Sequence, residues 1–162
     1  MSDFSFDIVS RVDRQNLADA VNQVQREIAT RFDLKNSKSS IELTDLTITI
    51  VADDDLKLRN VVDILQTRCV KRQVSLKALR FEKAEPAAGG TLRQTVTAAQ
   101  GIDRDRAKKI TEALKNSKLK VASQVQDEQV RVSSRSKDEL QKAITLVKEM
   151  PLDFPVQFVN YR

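Results

Sequence analysis

The chain repeats one order of strands and helices, and this duplication limits the folds open to it. Residues 4–82 and 91–160 are each predicted as strand, helix, strand, strand, helix, strand, on either side of a Pro-, Ala- and Gly-containing stretch, Ala84 to Gly90. Such a module forms an antiparallel sheet with two helices on one face. The predicted fold class is α+β, with ferredoxin-like domains at residues 1–85 and 86–162. Because both halves offer an equivalent first strand, these strands either stay in their own half or are exchanged.

Capping residues mark where several helices begin. Asp13 and Asp103 stand immediately before the two helices that follow the first strands, and Ser136 with Glu139 has the spacing of a capping box. The acidic triplet Asp53 to Asp55 is interpreted as a helix cap, because the Gly and distal Glu of a calcium loop are missing. We therefore predict no metal site there.

Missing residue types exclude several classes of chemistry. The chain of 162 residues contains no histidine, which removes the commonest general base and the usual zinc ligand. With only three glycines, neither a P-loop nor a dinucleotide-binding glycine motif is present. We predict a protein that is not an enzyme and has no catalytic residue, metal or cofactor. Cys69, the single cysteine, is predicted to be an inert core residue, which fits a cytoplasmic protein. No apolar stretch is long enough to predict a membrane partner.

The net charge of +5 is unevenly distributed along the chain. Acidic and basic residues balance over residues 1–90, and the excess lies in residues 91–162, mainly between Arg104 and Lys120. A local positive field attracts phosphates, whereas an ordinary solvated helix surface is the alternative explanation. The candidate phosphate-binding residues are Lys108, Lys109, Lys118, Lys120 and, on the outward face of a later strand, Arg131.

Phe32 is the aromatic residue that the predicted core does not explain. It lies between Arg31 and Lys35 at the expected end of the first helix, where a ring and two cations could contact a nucleobase and its phosphates. A hydrophobic contact at the helix C-terminus is the alternative. RNA-recognition modules share the predicted strand order, but Thr47 and Thr49 stand where such modules carry stacking aromatics.

Five segments match a known family in order and spacing: FSFDIVS at residues 4–10, RFDLKNSKSSIEL at 31–43, GIDRDRAKKI at 101–110, NSKLKVASQVQDEQVRVSSRSKDELQ at 116–141 and PVQFVNYR at 155–162. Together they resemble the YajQ family of bacterial nucleotide-binding proteins over essentially the whole chain. This chain departs mildly at Ser123, where the family often has Gln. The resemblance implies a cytosolic protein of two ferredoxin-like domains without established catalytic activity. It also implies nucleotide binding, which includes cyclic di-GMP in some members.

These observations lead to a hypothesis of non-enzymatic, regulatory nucleotide binding. The expected ligand is a cyclic dinucleotide or a purine nucleoside phosphate, held by cations and helix N-termini between the two modules. A transcription regulator is the expected further partner. The alternative is an RNA-binding module that uses the basic second domain. The sequence leaves open which nucleotide is bound and the oligomeric state.

Overall fold

The computed structural model describes residues 3–162, and these contain two sheets and four α-helices. The strands are β1 (Phe4–Val9), β2 (Ser40–Thr44), β3 (Thr47–Ala52), β4 (Leu79–Phe81), β5 (Glu85–Pro86), β6 (Leu92–Ala98), β7 (Ala122–Gln126), β8 (Gln129–Ser134) and β9 (Gln157–Val159). The helices are α1 (Arg14–Thr30), α2 (Asp55–Lys71), α3 (Arg104–Asn116) and α4 (Lys137–Glu149), with short 3₁₀ turns at Leu76–Ala78 and Ala88–Gly90. None of the helices in residues 3–162 is long and apolar enough to cross a bilayer.

Both sheets are antiparallel and have the ferredoxin-like strand order, which confirms the predicted fold class. One sheet has the order β7-β8-β1-β9, and the other has the order β2-β3-β6-β4, with β5 also paired to β6. The first strand of each half pairs with strands of the opposite half: β1 lies between β8 and β9, and β6 lies between β3 and β4. The equivalence of the two first strands explains why pattern alone left this pairing open.

The compact units of the structure do not coincide with the two halves of the chain. One unit, here called the host unit, comprises the chain as far as Arg11 together with Gln100–Arg162. The other, called the inserted unit, is the continuous segment Val12–Ala99. This division differs from the predicted boundaries at residues 85 and 86, because each central first strand belongs to the sheet of the opposite half. The inserted unit interrupts the host unit after its first strand.

The two ends of this interruption meet within the host unit. The Gly101 amide donates to the Ser10 carbonyl at 2.6 Å, and the Ile102 amide donates to the Glu128 carbonyl at 2.8 Å. Gly101 has φ +89°, and a Cβ there would lie 2.9 Å from a Glu128 carboxylate oxygen. The backbone conformation therefore favours glycine here, whereas the Glu128 side chain could move aside for a Cβ.

The stretch Ala84 to Gly90 is a hairpin inside the inserted unit, where the sequence predicted a linker between domains. Glu85 pairs with Arg93 and Pro86 pairs with Leu92. Gly89 and Gly90 have φ of 70° and 75°, so they supply the left-handed conformations of the connecting turn. Proline and glycine are typical of hairpin turns as well as of linkers, so composition alone did not distinguish the two.

Each unit has its own apolar core beneath its helices. In the inserted unit, α1 and α2 bury stripes that include Leu17, Val24 and Leu65 against the sheet. In the host unit, α3 and α4 cover Phe6 and Ile8 of β1. The helix N-caps are those predicted, with Asp13, Asp103 and Ser136 each accepting a backbone N–H of the first turn. Within the acidic triplet, Asp54 is the N-cap of α2.

Candidate functional site

Two recesses lie in the host unit near the residues where β1 and α4 begin. The basic recess has a volume of about 410 Å³ and the aromatic recess about 250 Å³. Asp3 and Ser136 line the first, and the residues that follow them, Phe4 and Lys137, line the second. The basic recess is otherwise lined by Lys120, Val121, Ala122, Ser133, Ser134 and Arg135. The aromatic recess is otherwise lined by Ser5, Phe6, Leu140, Gln141, Ile144, Tyr161 and Arg162.

Hydrogen bonds fix the backbone around the basic recess. The Ser134 hydroxyl donates to the Lys120 carbonyl at 2.7 Å and accepts the Ser136 amide at 3.1 Å. The Ser136 hydroxyl accepts the Glu139 amide at 3.3 Å, which is the predicted N-cap. The Glu139 carboxylate accepts the Lys120 amide at 3.0 Å, so it does not complete the predicted capping box with Ser136. The Lys120 amide thereby lowers the pKa of Glu139, and Lys142 adds to the effect.

The cations of the basic recess are exposed and only loosely paired. Arg135 Nε lies 3.9 Å from an Asp3 carboxylate oxygen, and the Arg135 side chain is 79% exposed. Lys120 is exposed in the loop between α3 and β7. Because an exposed ion pair at this distance is weak, a phosphate can replace the Asp3 carboxylate as the partner of the Arg135 guanidinium.

Aromatic side chains form the floor and one wall of the second recess. Phe6 packs edge-on against Phe158, with ring centroids 5.8 Å apart, and its centroid is 6.2 Å from that of Tyr161. The backbones of Ser5 and Arg162 exchange hydrogen bonds of 3.1 and 2.9 Å, which fixes the C-terminal segment beside β1. Tyr161 remains 65% exposed, so its ring is available to a ligand.

Lys137 lines the aromatic recess and directly follows Ser136, which lines the basic recess. The Lys137 ammonium lies 4.8 Å from the centroid of the Phe4 ring, and Lys137 is the first residue of α4. A cation at this point faces the ring-lined space on one side and the start of a helix on the other. The arrangement can accommodate a flat ring next to an anionic group.

The predicted phosphate-binding lysines fall into two groups. Lys118 and Lys120 lie in the loop before β7, and Lys120 lines the basic recess. Lys108 and Lys109 lie in the second turn of α3, and Lys108 is 3.9 Å from Glu112. About 12 Å of helix axis separates Lys108 from the last residue of α3, so the two groups lie at opposite ends of this helix.

Arg131 is held by a buried carboxylate. Its Nε donates to Asp7 at 2.9 Å, and the Asn160 amide donates to the other Asp7 oxygen at 2.8 Å. Burial raises the pKa of Asp7, but the hydrogen bonds from Arg131 and Asn160 outweigh it, so the pKa lies below its usual value. This pairing gives Arg131 a structural role on the outward face of the host sheet.

The predicted cluster around Phe32 belongs to the inserted unit. Phe32 is 90% exposed, and the Lys35 ammonium lies 5.7 Å from its ring centroid. The Arg31 guanidinium donates to both oxygens of Asp33, at 2.9 and 3.1 Å, which lowers the pKa of Asp33. The hydrophobic helix C-terminal contact considered for Phe32 is absent, because its ring faces solvent.

Sequence reasoning missed Phe4, Tyr161, Arg135 and Lys137 as site residues. Phe4 and Tyr161 were treated as strand residues of the core, and SSRSK at residues 133–137 was used only for its capping signal. Phe4 is brought near Arg135 and Lys137 by the pairing of β1 with β8, and Tyr161 is held beside β1 by the Ser5–Arg162 hydrogen bonds. The density of serine and cations in SSRSK was the signal available.

The outward rows of the inserted sheet carry hydroxyls. Thr47 pairs with Thr97 and Thr49 with Thr95, and all four are half-buried. Base-stacking aromatics are therefore missing from these two rows, as expected.

Net charge is nearly equal in the two units. The host unit has 14 Lys and Arg against 11 Asp and Glu, and the inserted unit has 14 against 12. The excess seen over residues 91–162 therefore reflects partly where the chain was divided.

The fold and these recesses define a class of small α+β proteins with a pair of ferredoxin-like units and a surface suited to a ring and an anion. Comparison with known sequences identifies the family. The profile described as "Nucleotide-binding protein YajQ-like" matches residues 4–162, so the chain belongs to the YajQ-like family.

Relatives of this chain are similar over their full length. A "Nucleotide-binding protein" of Desulforamulus reducens is 57% identical over 159 residues, which cover 98% of this chain and 96% of the relative. One of Desulfitobacterium hafniense is 55% identical over 160 residues, covering 99% and 98%. One of Chloroherpeton thalassium is 48% identical over 163 residues, covering 99% of each.

Proposed function

We propose that the protein binds a nucleotide in the host unit, with the ring in the aromatic recess and a phosphate in the basic recess. The observation that carries this proposal is that consecutive residues line the two recesses: Asp3 and Ser136 line the basic one, and Phe4 and Lys137 line the aromatic one. A nucleotide has the same division, an apolar planar base joined through a sugar to an anion. The names of the relatives support the ligand class.

The base is expected to lie against Tyr161 and Phe4. The volume of about 250 Å³ is just under the range of drug-sized ligand pockets, which suits a single base. Gln141 and Ser5 supply hydrogen-bonding groups at the same recess. Stacking on an exposed ring contributes roughly 1–3 kcal/mol per base, so Tyr161 is expected to provide much of the affinity.

The phosphate is expected to contact Lys120, Arg135 and Lys137. Charge-assisted hydrogen bonds from such groups are stronger than neutral ones, and the first turn of α4 adds the positive end of a helix dipole. This replaces the glycine-rich phosphate loop that the sequence lacks. Lys118, in the same loop as Lys120, adds positive potential.

The function that follows is binding without catalysis, in a regulatory role. The ligand would act by stabilising the conformation that it contacts best. A cyclic dinucleotide such as cyclic di-GMP would place one base and one phosphodiester in the two recesses and leave its second base outside. A purine nucleoside phosphate would fill both recesses with a single base and its phosphates. A transcription regulator that senses the bound state is the proposed further partner.

Calorimetric titration with GMP, GTP, cyclic di-GMP and a short single-stranded RNA tests this proposal. Replacing Lys118 and Lys120 together by alanine should weaken nucleotide binding by roughly 1–3 kcal/mol, about 5- to 150-fold. The matched control is the double change Lys108→Ala and Lys109→Ala, which removes the same charge at the other end of α3 and should leave affinity within about twofold.

Two single substitutions separate the ring sites. Tyr161→Ala should weaken binding by about tenfold or more, and Phe32→Ala should leave it unchanged, because Phe32 lies in the inserted unit. Loss of binding in Phe32→Ala with full affinity in Tyr161→Ala would move the site to the inserted unit. If GMP, GTP and cyclic di-GMP all fail to bind at about 1 mM, the proposal is refuted.

RNA binding remains the second candidate, and the exposed cations along α3 favour it. Arg104, Lys108, Lys109 and Lys115 lie on a helix that extends beyond the basic recess. A backbone-tracking protein loses affinity steeply with salt in proportion to the phosphates neutralised, whereas a single nucleotide depends on salt far less. A steep salt slope, together with loss of RNA binding in the Lys108/Lys109 variant, would support the RNA function.

A further inference from the structure

One edge strand of the host sheet lacks the protection that the other edges have. The edges of the two described sheets, apart from the two-residue β5, are β7 and β9 in the host unit and β2 and β4 in the inserted unit. Strands β4 and β9 are each only three residues long. Strand β2 has Glu42 at its centre, and Gln25 of α1 donates to its Ile41 carbonyl at 2.9 Å. Short length, central charge and covering groups all prevent edge-to-edge pairing.

Strand β7 has none of these devices. Its five residues, ASQVQ, include no charge and no proline, and the first four are exposed. Val125 is 49% exposed, so this edge also presents an apolar side chain. A neutral, exposed edge of this length is a template for adding another strand.

The hairpin geometry directs backbone groups of β7 outward. Asp127 and Glu128 form a two-residue turn with φ of 44° and 62°, so both central residues are left-handed as in a type I′ turn. Such a turn closes on a hydrogen-bonded pair, here Gln126 and Gln129. In an antiparallel ladder the alternate residues, Ser123 and Val125, then direct their N–H and C=O away from β8.

The charges at the two ends of β7 are opposite. Lys118 and Lys120 precede the strand, and Asp127 and Glu128 follow it. An antiparallel pairing of two copies centred on Gln124 places Lys120 opposite Glu128 of the second copy, and two-fold symmetry repeats the contact. A parallel pairing would instead bring like charges together. The edge is therefore complementary to itself in one direction only.

We propose that two copies of this chain associate through β7, antiparallel and centred on Gln124, to form a continuous eight-stranded sheet. In this register Ser123 of each copy exchanges main-chain hydrogen bonds with Val125 of the other. A single strand pair buries a small area, so the dimer is expected to be weak and concentration-dependent. Lys120 also belongs to the proposed phosphate contact, so the test of this inference uses nucleotide-free protein.

Sedimentation velocity of the full chain over about 5–500 µM measures the association. Wild type should shift from monomer to dimer within this range. Val125→Pro removes an outward N–H without removing a bond to β8, so it should remain monomeric throughout. Val125→Lys should weaken the dimer at least about tenfold, whereas Thr44→Lys, the matched change on β2, should not alter it.

Charge reversal provides a second test that does not depend on proline. Lys120→Glu and Glu128→Lys should each weaken dimerisation by about tenfold or more, because each places like charges opposite one another twice. The double variant K120E/E128K restores both pairs and should recover the wild-type dissociation constant within about threefold. A wild type that stays monomeric, or a double variant no better than the single ones, would overturn the proposal.

Discussion

The host unit and the inserted unit share one strand order but distribute their aromatic rings differently. Five rings belong to the host unit: Phe4, Phe6, Phe154, Phe158 and Tyr161. The inserted unit has two, Phe32 and Phe81, and both are exposed, at 90% and 36%. The same fold therefore supports a ring-lined recess in one copy and a core without buried aromatic rings in the other. Strand order alone does not decide which copy carries a site.

A pentapeptide that occurs in both units allows the two to be compared residue by residue. LKNSK occurs at residues 34–38, shortly after α1, and again at 114–118, across the end of α3. In both copies the serine hydroxyl donates to the leucine carbonyl three residues earlier and accepts the amide two residues later. The copies then diverge: Leu119 packs against the host core, whereas the equivalent Ser39 is buried with no partner for its hydroxyl among residues 3–162. The identical pentapeptides therefore form the same serine hydrogen bonds, and the residue that follows, Leu119 or Ser39, determines whether an apolar or a polar side chain is buried there.

The largest expected effect comes from dividing the chain in two ways. Residues 12–99 contain both helices, all strands and the whole core of the inserted unit, so this fragment should fold alone. Residues 1–85 lack β6, the central strand of that sheet, and should not fold. Thermal unfolding followed by circular dichroism distinguishes a cooperative transition from none.

Removing the inserted unit gives the complementary experiment. Joining Arg11 directly to Gln100 should give a folded ferredoxin-like domain, because Ser10 and Gly101 are already hydrogen-bonded. The control is residues 86–162, which lack β1 and should be unfolded. A cooperative transition in residues 1–85 or 86–162 would contradict the exchange of first strands.

An intermediate effect is expected from the buried carboxylate of the host unit. Asp7→Asn should lower the free energy of unfolding of the host unit by about 1.5–3 kcal/mol, because it weakens charge-assisted bonds to Arg131. The folded-state pKa of Asp7 is lowered, so its contribution is present above the unfolded pKa of about 3.9 and is lost as pH falls through the folded value. Hydrogen exchange resolved by unit between pH 3 and 7 would measure this.

Glu27 provides the matched control in the inserted unit. The Glu27 carboxylate accepts a hydrogen bond from the Arg68 guanidinium at 2.7 Å, and this bond lowers the pKa of Glu27. Both side chains are partly exposed. Glu27→Gln should therefore cost less than about 1 kcal/mol and affect only the inserted unit. Equal losses from the two substitutions would show that burial of Asp7 contributes nothing.

A loss of stability without any loss of nucleotide affinity is expected at Cys69 of α2. Cys69→Ser should destabilise the inserted unit by about 1–2 kcal/mol by burying a hydroxyl, and nucleotide affinity should not change. Burial raises the pKa of the thiol to about 11, so thiol reagents at pH 8 should label native protein slowly. Rapid native labelling would identify Cys69 as a reactive thiol.

Periodicity and caps predicted the fold class, the helix starts and the basic loop, because these depend on neighbouring residues. The pairing of Thr47 with Thr97, or of Phe4 with Ser134, depends on a choice between two equivalent strands. Alternation assigned Phe4 and Tyr161 to strands but gave no information on how deeply they are buried. Of the proposed site, Lys120 was therefore predictable from the sequence, whereas the aromatic half was not.

The interruption of the host unit also has a consequence during synthesis. Phe4 pairs with Ser134, so about 130 residues are made before β1 meets its first partner, a delay of about 6–26 s at bacterial elongation rates. The inserted unit is completed and can fold during this interval. Until β8 has been synthesised, β1 remains an unpaired, largely apolar segment, which is the type of segment that chaperones bind. Ser5 and Asp7, alternating with its apolar residues, reduce the risk that it aggregates on the ribosome.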